Sequence, residues 1–447
     1  MIKEEEKLNH KILVNTVECW NSRIGSNTLA SWLSQYNSEN LANLYIREEV
    51  PDSDVCGRYF KISENKIIKS VFFRGIATGK EYRTGDITPD AEDYSNLKMQ
   101  KSGYRFFKKI RLWLFLYLRE ILWKFGNWKS KELDSFLDDF KPDIVIVPLE
   151  GYIHFNRINR YIIRRTGAKA IGVFWDDNFT YKPHKWNPGF LIHRYFLRKD
   201  LKKSVALCNH FFAICPKMKT ECDEMFHIQS VVLTKPVFKL ERSYQPIKDR
   251  PIKMLYTGNL LIGRHKALIL LVKALKKINL DTVKVMLDIY TPTDLSSEER
   301  KIISETPGCV LNGAVPQNEA IVKQKQADVL LFLEALSGKE KYSARLSFST
   351  KITDYFAAGK CIFAVGPGDI APIEYLSNEH AAIISTSCDE IEKNLKMIVN
   401  NPDIIEEFGN KAYECGKRNH SEEKIHKIFS DTLEQINYNH NAEKTDD

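Results

Sequence analysis

The sequence has no apolar run near the ~20 residues that a bilayer-spanning helix needs. Its most aromatic stretch, "YRFFKKIRLWLFLYLREILWKFGNW" (104–128), has an apolar core of seven residues, Leu112 to Leu118. A membrane-crossing helix is therefore not expected. No C-x-x-C pair occurs among the nine cysteines, which argues against a zinc ribbon or a dithiol redox site and leaves reduced thiols. Cys208, Cys215 and Cys222 recur every seven residues without a nearby fourth ligand, and read as helix packing. Also missing are the G-x-x-x-x-G-K-[ST] phosphate loop, an internal repeat and a low-complexity tract. The opening "MIKEEEKLNH" is polar and acidic with no apolar run behind it. Neither a secretory signal nor a transit peptide is expected, and a cytoplasmic location is.

What the sequence does have is positive charge, unevenly placed. Its 447 residues carry a formal net charge of +8. Residues 98–131 hold ten Lys and Arg against Glu120, and residues 154–204 hold twelve against Asp176, Asp177 and Asp200. Each stretch is thus +9 and the remainder −10. Such a field concentrates anions: nucleic acid, an anionic membrane or a phosphate-bearing substrate. No nucleic-acid motif accompanies the charge, so that partner is not expected. The 104–128 segment interleaves aromatic and basic residues without a clean amphipathic stripe. It fits a helix buried in the N-terminal half, or shallow insertion into an anionic leaflet with Lys108, Lys109, Arg111, Arg119 and Lys124 meeting lipid phosphates.

The length exceeds what one hydrophobic core usually supports. "KILVNTVECW", the turn "NSRIGSN", the helix "TLASWLSQY" and the strand "LANLYIREE" make a β-α-β opening. "PDIVIVPL" and "AIGVFWD" are unbroken apolar strands of the kind found in parallel sheets covered on both faces. The polar, proline-bearing "KLERSYQPIKDRP" marks a boundary. Beyond it "IKMLYTG", "VKVMLDIYT", "GCVLNG", "ADVLLFLE", "KCIFAV" and "AAIIST" alternate with helical segments, which indicates a second parallel α/β domain. The expected division is 1–240, a linker over 241–251, 252–420, and a C-terminal helix with a disordered tail over 421–447.

Chemistry concentrates in "FSTKITDYFAAGKCIFAVGPGD" (348–369). Ser349 and Thr350 are helix N-cap types, and Gly359 stands where a glycine would end that helix. The free N–H groups and positive dipole end at Ser349, Thr350 and Lys351 suit a phosphate, and Asp354 one turn on can accept from hydroxyls. "LYTGNLLIGRHKALILLVKAL" (255–275) reads as strand, glycine loop with Gly258, and a helix opening on Arg264 and Lys266, where open α/β sheets place ligands. "GPGDIA" fits a loose G-x-G-x-x-A but lacks the acidic ribose partner ~20 residues on, and reads as a decoy. His154 is a candidate base, since imidazole titrates near working pH, with a structural role as its alternative.

In this order the segments resemble the C-terminal half of the retaining glycosyltransferase family four, over about Ile252 to Thr386. "GNLLIGRHK" is similar to that family's first donor loop, and "GAVPQNEA" to its loop beside the nucleobase, where Val315 would sit. "STKITDYFAAGKCIFA" resembles its "glutamate, seven residues, glutamate" region, with Asp354 at the second acidic position. The first is missing: Leu346 stands eight residues before Asp354. Either the Ser/Thr-Lys opening of the helix replaces it or catalysis is impaired; Glu340 could supply a carboxylate. In the N-terminal half "RIGSN" is placed like the family's small-residue loop, which makes Arg23, Gly25 and Ser26 acceptor-side candidates. "VFWDDNFTY" is similar to an Asp-Asp pair in some polysaccharide-assembling members, which nominates Asp176 and Asp177 to orient or deprotonate the acceptor.

The resemblance implies an α/β, GT-B architecture: two Rossmann-like parallel-sheet domains facing across a cleft. It implies an enzyme, a glycosyltransferase that moves sugar, with retention, from a nucleotide-sugar donor to a saccharide or lipid-diphosphate-linked acceptor in cell-surface polysaccharide biosynthesis. No cofactor is expected, since no Asp-x-Asp pair stands where a donor metal would be wanted and cations can replace one. The expected site of action is the cytoplasm, peripheral on the inner face of the plasma membrane. The alternatives are a nucleotide-sugar epimerase or hydrolase on the same fold, and a non-catalytic membrane-surface binding protein.

Overall fold

The computed structural model describes residues 10–20, 28–89, 91, 93–98, 113–184, 187–242, 246–247, 250–338 and 340–445. The chain forms two compact units. One comprises residues 1–214, 219–233 and 426–447; the other comprises 215–218 and 234–425.

The N-terminal unit is built on eight strands: β1 (Ile12–Thr16), β2 (Leu41–Tyr45), β3 (Arg58–Ile62), β4 (Gly79–Arg83), β5 (Ile144–Pro148), β6 (Lys169–Phe174), β7 (His210–Ala213) and β8 (Ser230–Val232). They lie in the order β4-β3-β2-β1-β5-β6-β7-β8. All neighbours are parallel except β4, which runs antiparallel to β3. Every residue of β1 and β5 is buried, because both faces of the sheet are covered, and that is why these strands read as unbroken apolar runs. The sequence expectation found β1, β2, β5 and β6. It missed β3 and β4, whose "RYFKI" and "GKEYR" carry charges that interrupt any apolar run, and the short β7 and β8. Lys80, Glu81 and Arg83 on β4 keep that sheet edge from pairing with another chain.

The last helix spans Glu422–Thr445, where the sequence suggested a C-terminal helix, and reaches into the segment read as tail. Phe429, Leu433 and Ile436 are buried in the N-terminal unit, with the Phe429 ring 6.3 Å from Trp32 and 5.9 Å from Phe212. Burying each such side chain stabilises by about 1.5–3 kcal/mol, which outweighs the polar composition of the segment. The described part of the aromatic and basic segment is the helix Trp113–Phe125. It is only half buried: Trp123 is inside, stacked on His154, while Leu118, Ile121 and Phe125 are exposed. Arg119 is not available to lipid phosphates. It pairs with Glu64, lies 5.0 Å over the Tyr152 ring, and ties this helix to the helix Glu64–Phe72. Lys108, Lys109 and Arg111 lie outside the described residues.

The C-terminal unit has six parallel strands, β9 (Ile252–Thr257), β10 (Val285–Tyr290), β11 (Cys309–Asn312), β12 (Val329–Leu333), β13 (Cys361–Val365) and β14 (Ile383–Ser385). All six were expected. Their order, β11-β10-β9-β12-β13-β14, is doubly wound, with its switch point between β9 and β12. The helix Arg264–Ile278 buries Leu268, Leu271, Val272 and Leu275 in one cluster with Leu287, Val329 and Phe363. The helix Thr350–Ala358 ends at Gly359, whose φ of 58° is the left-handed conformation that only glycine adopts without strain.

All nine cysteines are free. The seven-residue spacing does not mark one helix face. Cys208 follows the helix Pro188–Val205, Cys215 precedes the helix Pro216–Phe226, and only Cys222 lies within a helix. No described helix is long and apolar enough to cross a membrane.

Candidate functional site

In the C-terminal unit the residues just past β9 and β12, at the switch point, are Gly258 and Glu334. Arg264 opens its helix there, and its guanidinium donates from Nη2 to Glu334 Oε1 at 2.8 Å, from Nε to Oε2 at 3.2 Å, and from Nη1 to Asn259 Oδ1 at 3.2 Å. Lys351, in the first turn of its own helix, brings Nζ 3.3 Å from the Tyr256 hydroxyl and 4.5 Å from that ring's centroid. Gly258 has φ 122°, and a methyl group there would overlap Lys351 Nζ. Burial, and then the neighbouring Arg264, pull the Lys351 ammonium down to about 8. Among the described residues no carboxylate lies within ion-pair distance of Lys351, because Glu334 is taken by Arg264 and Asp354 by Lys235 at 2.7 Å. Two cations and one buried carboxylate thus converge at the carboxyl ends of β9 and β12. That is an excess of positive charge where open α/β sheets bind their ligands.

The structure gathers Gly258, Arg264 and Lys351 as the sequence suggested. Ser349 has N-cap backbone geometry but no capping bond from its hydroxyl, and Thr350 begins the helix beside it. Lys266 is exposed and sits 3.5 Å from Glu340, so Glu340 is already paired. Val315 lies in the loop between β11 and the helix Gln317–Gln326. Leu346 is fully buried, so the place of the missing carboxylate is filled by packing. Tyr256 and Glu334 escaped the sequence reading, although an acidic residue directly after the apolar run "ADVLLFL" was the available signal.

In the N-terminal unit the order of strands reverses between β1 and β5. Arg23, Gly25 and Ser26 lie outside the described residues. Two other candidates are corrected. His154 is 1% exposed, stacked 4.6 Å from Trp123 with Nδ1 2.8 Å from Glu120 Oε1, which makes it a core residue rather than a base open to an acceptor. Asp177 accepts from the Thr180 N–H at 2.9 Å and from its hydroxyl at 2.6 Å, a bond pair that shapes the loop. Asp176 is exposed at the end of β6. The residue that sequence reasoning missed is Glu150, two positions past β5. Its carboxylate accepts from Trp175 Nε1 at 3.0 Å. Burial first, then Asp176 and more weakly Glu18, push it up to about 7. Beside this edge lies a cavity of ≈ 810 Å³ lined by Glu18, Glu49, Asp52, Asp54, Asp93 and Tyr94 among others, of which Asp93 is paired with Lys61 and Lys80. Among the described residues no His, Cys, Asp and Glu cluster is arranged to hold a metal ion.

No protein-family model matches the chain, and no curated protein matches it. Solved structures do. The trehalose 6-phosphate synthase of Burkholderia multivorans superposes with a TM-score of 0.58 at 10% identity, covering 97% of this chain and 98% of its own. Anabaena HepE, solved with UDP and glucose, gives 0.57 at 8% identity over 95% of this chain and 100% of its own. The fold is GT-B. TarM gives 0.50 at 14% identity and covers 68% of this chain, which spans only 57% of TarM. At such identities the likeness establishes the GT-B fold and leaves the activity to be argued from the site.

Proposed function

We propose that this GT-B protein is a glycosyltransferase that moves a sugar from a nucleotide-sugar donor to a saccharide acceptor. The observation that carries the reading is the meeting of two cations at the β9/β12 switch point, Arg264 held by Glu334 and Lys351 closing on Gly258. There the donor diphosphate would meet two fixed cations, whose effect is largest when charge builds on the leaving group. These cations take the place of a metal in this reading. Asp354, one turn past Lys351, is the candidate for the donor's hydroxyls, with Ser349 and Thr350 at the helix start and Val315 towards the base. The N-terminal unit takes the acceptor. The cavity lined by carboxylates suits sugar hydroxyls, which donate to them, better than a phosphate. Retention and a role in cell-surface polysaccharide assembly are part of the reading through the resemblance alone.

The reading also places the N-terminal unit against an anionic membrane surface. Three adjoining helices expose Phe72, Phe73, Leu118, Ile121, Phe125, Ile192, Tyr195 and Phe196. Exposed Lys69, Arg74, Lys124 and Lys199 accompany them, the charge complement of acidic headgroups.

A thermal-shift panel with UDP, GDP, dTDP and ADP tests the donor site. Selective stabilisation by one of them supports it through linkage and names the base. No response to any would remove the observation's functional meaning, and a product formed from the nucleotide sugar without acceptor would indicate an epimerase or hydrolase instead.

A further inference from the structure

Lys351 is set apart from the other basic side chains at the C-terminal unit's switch point by what surrounds its amine. Arg264 is gripped by Glu334 and Lys266 stands near Glu340, whereas among the described residues no carboxylate lies within ion-pair distance of Lys351. Its Nζ instead lies 3.3 Å from the Tyr256 hydroxyl and 4.5 Å from that ring's centroid, in space that Gly258 leaves by having no side chain. Burial opposes its charge most, then Arg264, while Glu334 and Asp354 favour it more weakly. The residue nevertheless keeps a solvent-accessible part. An amine that is crowded by a guanidinium, short of a counter-ion and still reachable can act as a nucleophile as well as a charge. Beside it Arg264 spends three N–H groups on Glu334 and Asn259, which among the described residues leaves one hydrogen on Nη1 and one on Nη2 for an anion.

We propose that Lys351 is a modification site, at which Nζ takes the acyl group of an acyl phosphate whose phosphate Arg264 seats, and that the modified lysine shuts the anion site. The neutral amine adds its lone pair to the acyl carbon. The bond from that carbon to the phosphate oxygen breaks, inorganic phosphate leaves with the electron pair, and the surplus proton on nitrogen passes to water. An amide forms and the positive charge is lost. The neighbours select the class of reagent: an acyl donor without an anionic group gains nothing from Arg264, whereas a phosphate is drawn to the cations that make the site. An amine titrating at about 8 carries enough of its neutral form near neutral pH for this step, in contrast to an exposed lysine. The acylation stands apart from the glycosyltransferase reading, and its consequence, loss of the donor, rests on that reading.

The test incubates the full chain with acetyl phosphate from pH 6.5 to 9.5 and follows each lysine by peptide mass spectrometry. Lys351 should gain an acetyl group at least about tenfold faster than the exposed Lys69, Lys124 and Lys199, because a far larger share of it is neutral. Its rate should level off above about 8 while theirs goes on rising. N-acetylimidazole, which carries no phosphate, should show much less preference, and added inorganic phosphate should slow the reaction at Lys351 alone. Modification of Lys351 no faster than of those three lysines would overturn the proposal, and an equal preference with N-acetylimidazole would rule out the acyl phosphate as its substrate. Calorimetry with UDP, GDP and dTDP then compares the unmodified chain, the acetylated chain and Lys351→Gln, which carries an amide at that place; thermal midpoints check their folds. Acetylation and Lys351→Gln should each weaken diphosphate binding by roughly 10- to 100-fold, as loss of one charged partner would. Equal binding in all three would overturn the shut-off alone. Failure of the unmodified chain to bind any diphosphate would overturn the donor reading and leave the acetylation result standing by itself, so the two failures are told apart.

Discussion

Glu334 grips Arg264 with both carboxylate oxygens, Oε1 2.8 Å from Nη2 and Oε2 3.2 Å from Nε. The carboxylate is buried and the guanidinium nearly so. The pair therefore fixes the direction of a cation at the switch point more than it adds stability, since dehydrating both charges offsets most of their attraction.

Removing one partner should be costly. Arg264→Ala leaves Glu334 buried and unpaired, and is expected to lose about 3 kcal/mol of unfolding free energy in urea titrations. Adding Glu334→Gln should recover most of that loss while diphosphate binding, read by calorimetry, stays absent. A double variant that binds normally would remove Arg264 from the donor site.

Lys351 supplies a pH dependence with a definite sign. In the free protein it titrates at about 8, below the ordinary lysine value of ~10.4, because burial and Arg264 disfavour its charge. A bound diphosphate favours that charge, so binding should take up protons and the affinity should fall as pH rises through about 8. The same shift makes this group's contribution to stability rise with pH between about 8 and the unfolded value. Lys351→Met should fold at least as stably as the wild type at pH 7, weaken diphosphate binding by roughly 10- to 100-fold, and abolish the pH dependence, as checked by calorimetry in buffers of different ionisation enthalpy.

Gly258→Ala probes the close approach directly. At φ 122° any side chain is strained, and a methyl group there overlaps Lys351 Nζ. The variant should lose about 1–3 kcal/mol of stability and most donor affinity together. Wild-type affinity in a folded Gly258→Ala protein would show that Lys351 is not held there for the diphosphate.

The exposed aromatic face makes a separate prediction. Phe72→Ser, Phe73→Ser and Phe125→Ser combined should leave the thermal midpoint almost unchanged, because these side chains are 72%, 66% and 67% exposed. Co-sedimentation with phosphatidylglycerol-containing vesicles should drop by at least about tenfold and should weaken with salt in the wild type. Equal sedimentation of both proteins would sink the membrane assignment.

The sequence by itself determined the two parallel α/β units, because a strand buried on both faces must be apolar throughout, and "PDIVIVPL" or "KCIFAV" admits no other reading. It also nominated Gly258, Arg264 and Lys351 together with Lys266, Val315, Ser349, Thr350 and Asp354, since a glycine after a strand and basic residues opening helices mark the ligand end of such a sheet. Charged strands such as "RYFKI" and "GKEYR" were not legible, for their stability comes from pairing with distant neighbours rather than from local pattern. The packing of the last helix was hidden likewise, as its polar surface gives no hint that Phe429 meets Trp32, nearly four hundred residues away, in one core. The tertiary structure alone decided the electrostatics. His154 looked like a base until Trp123 and Glu120 enclosed it, and Glu150 looked ordinary until Trp175, Asp176 and Glu18 came round it. Proton affinity depends on which charges and how much water stand within a few ångströms, and spacing along a chain does not record that.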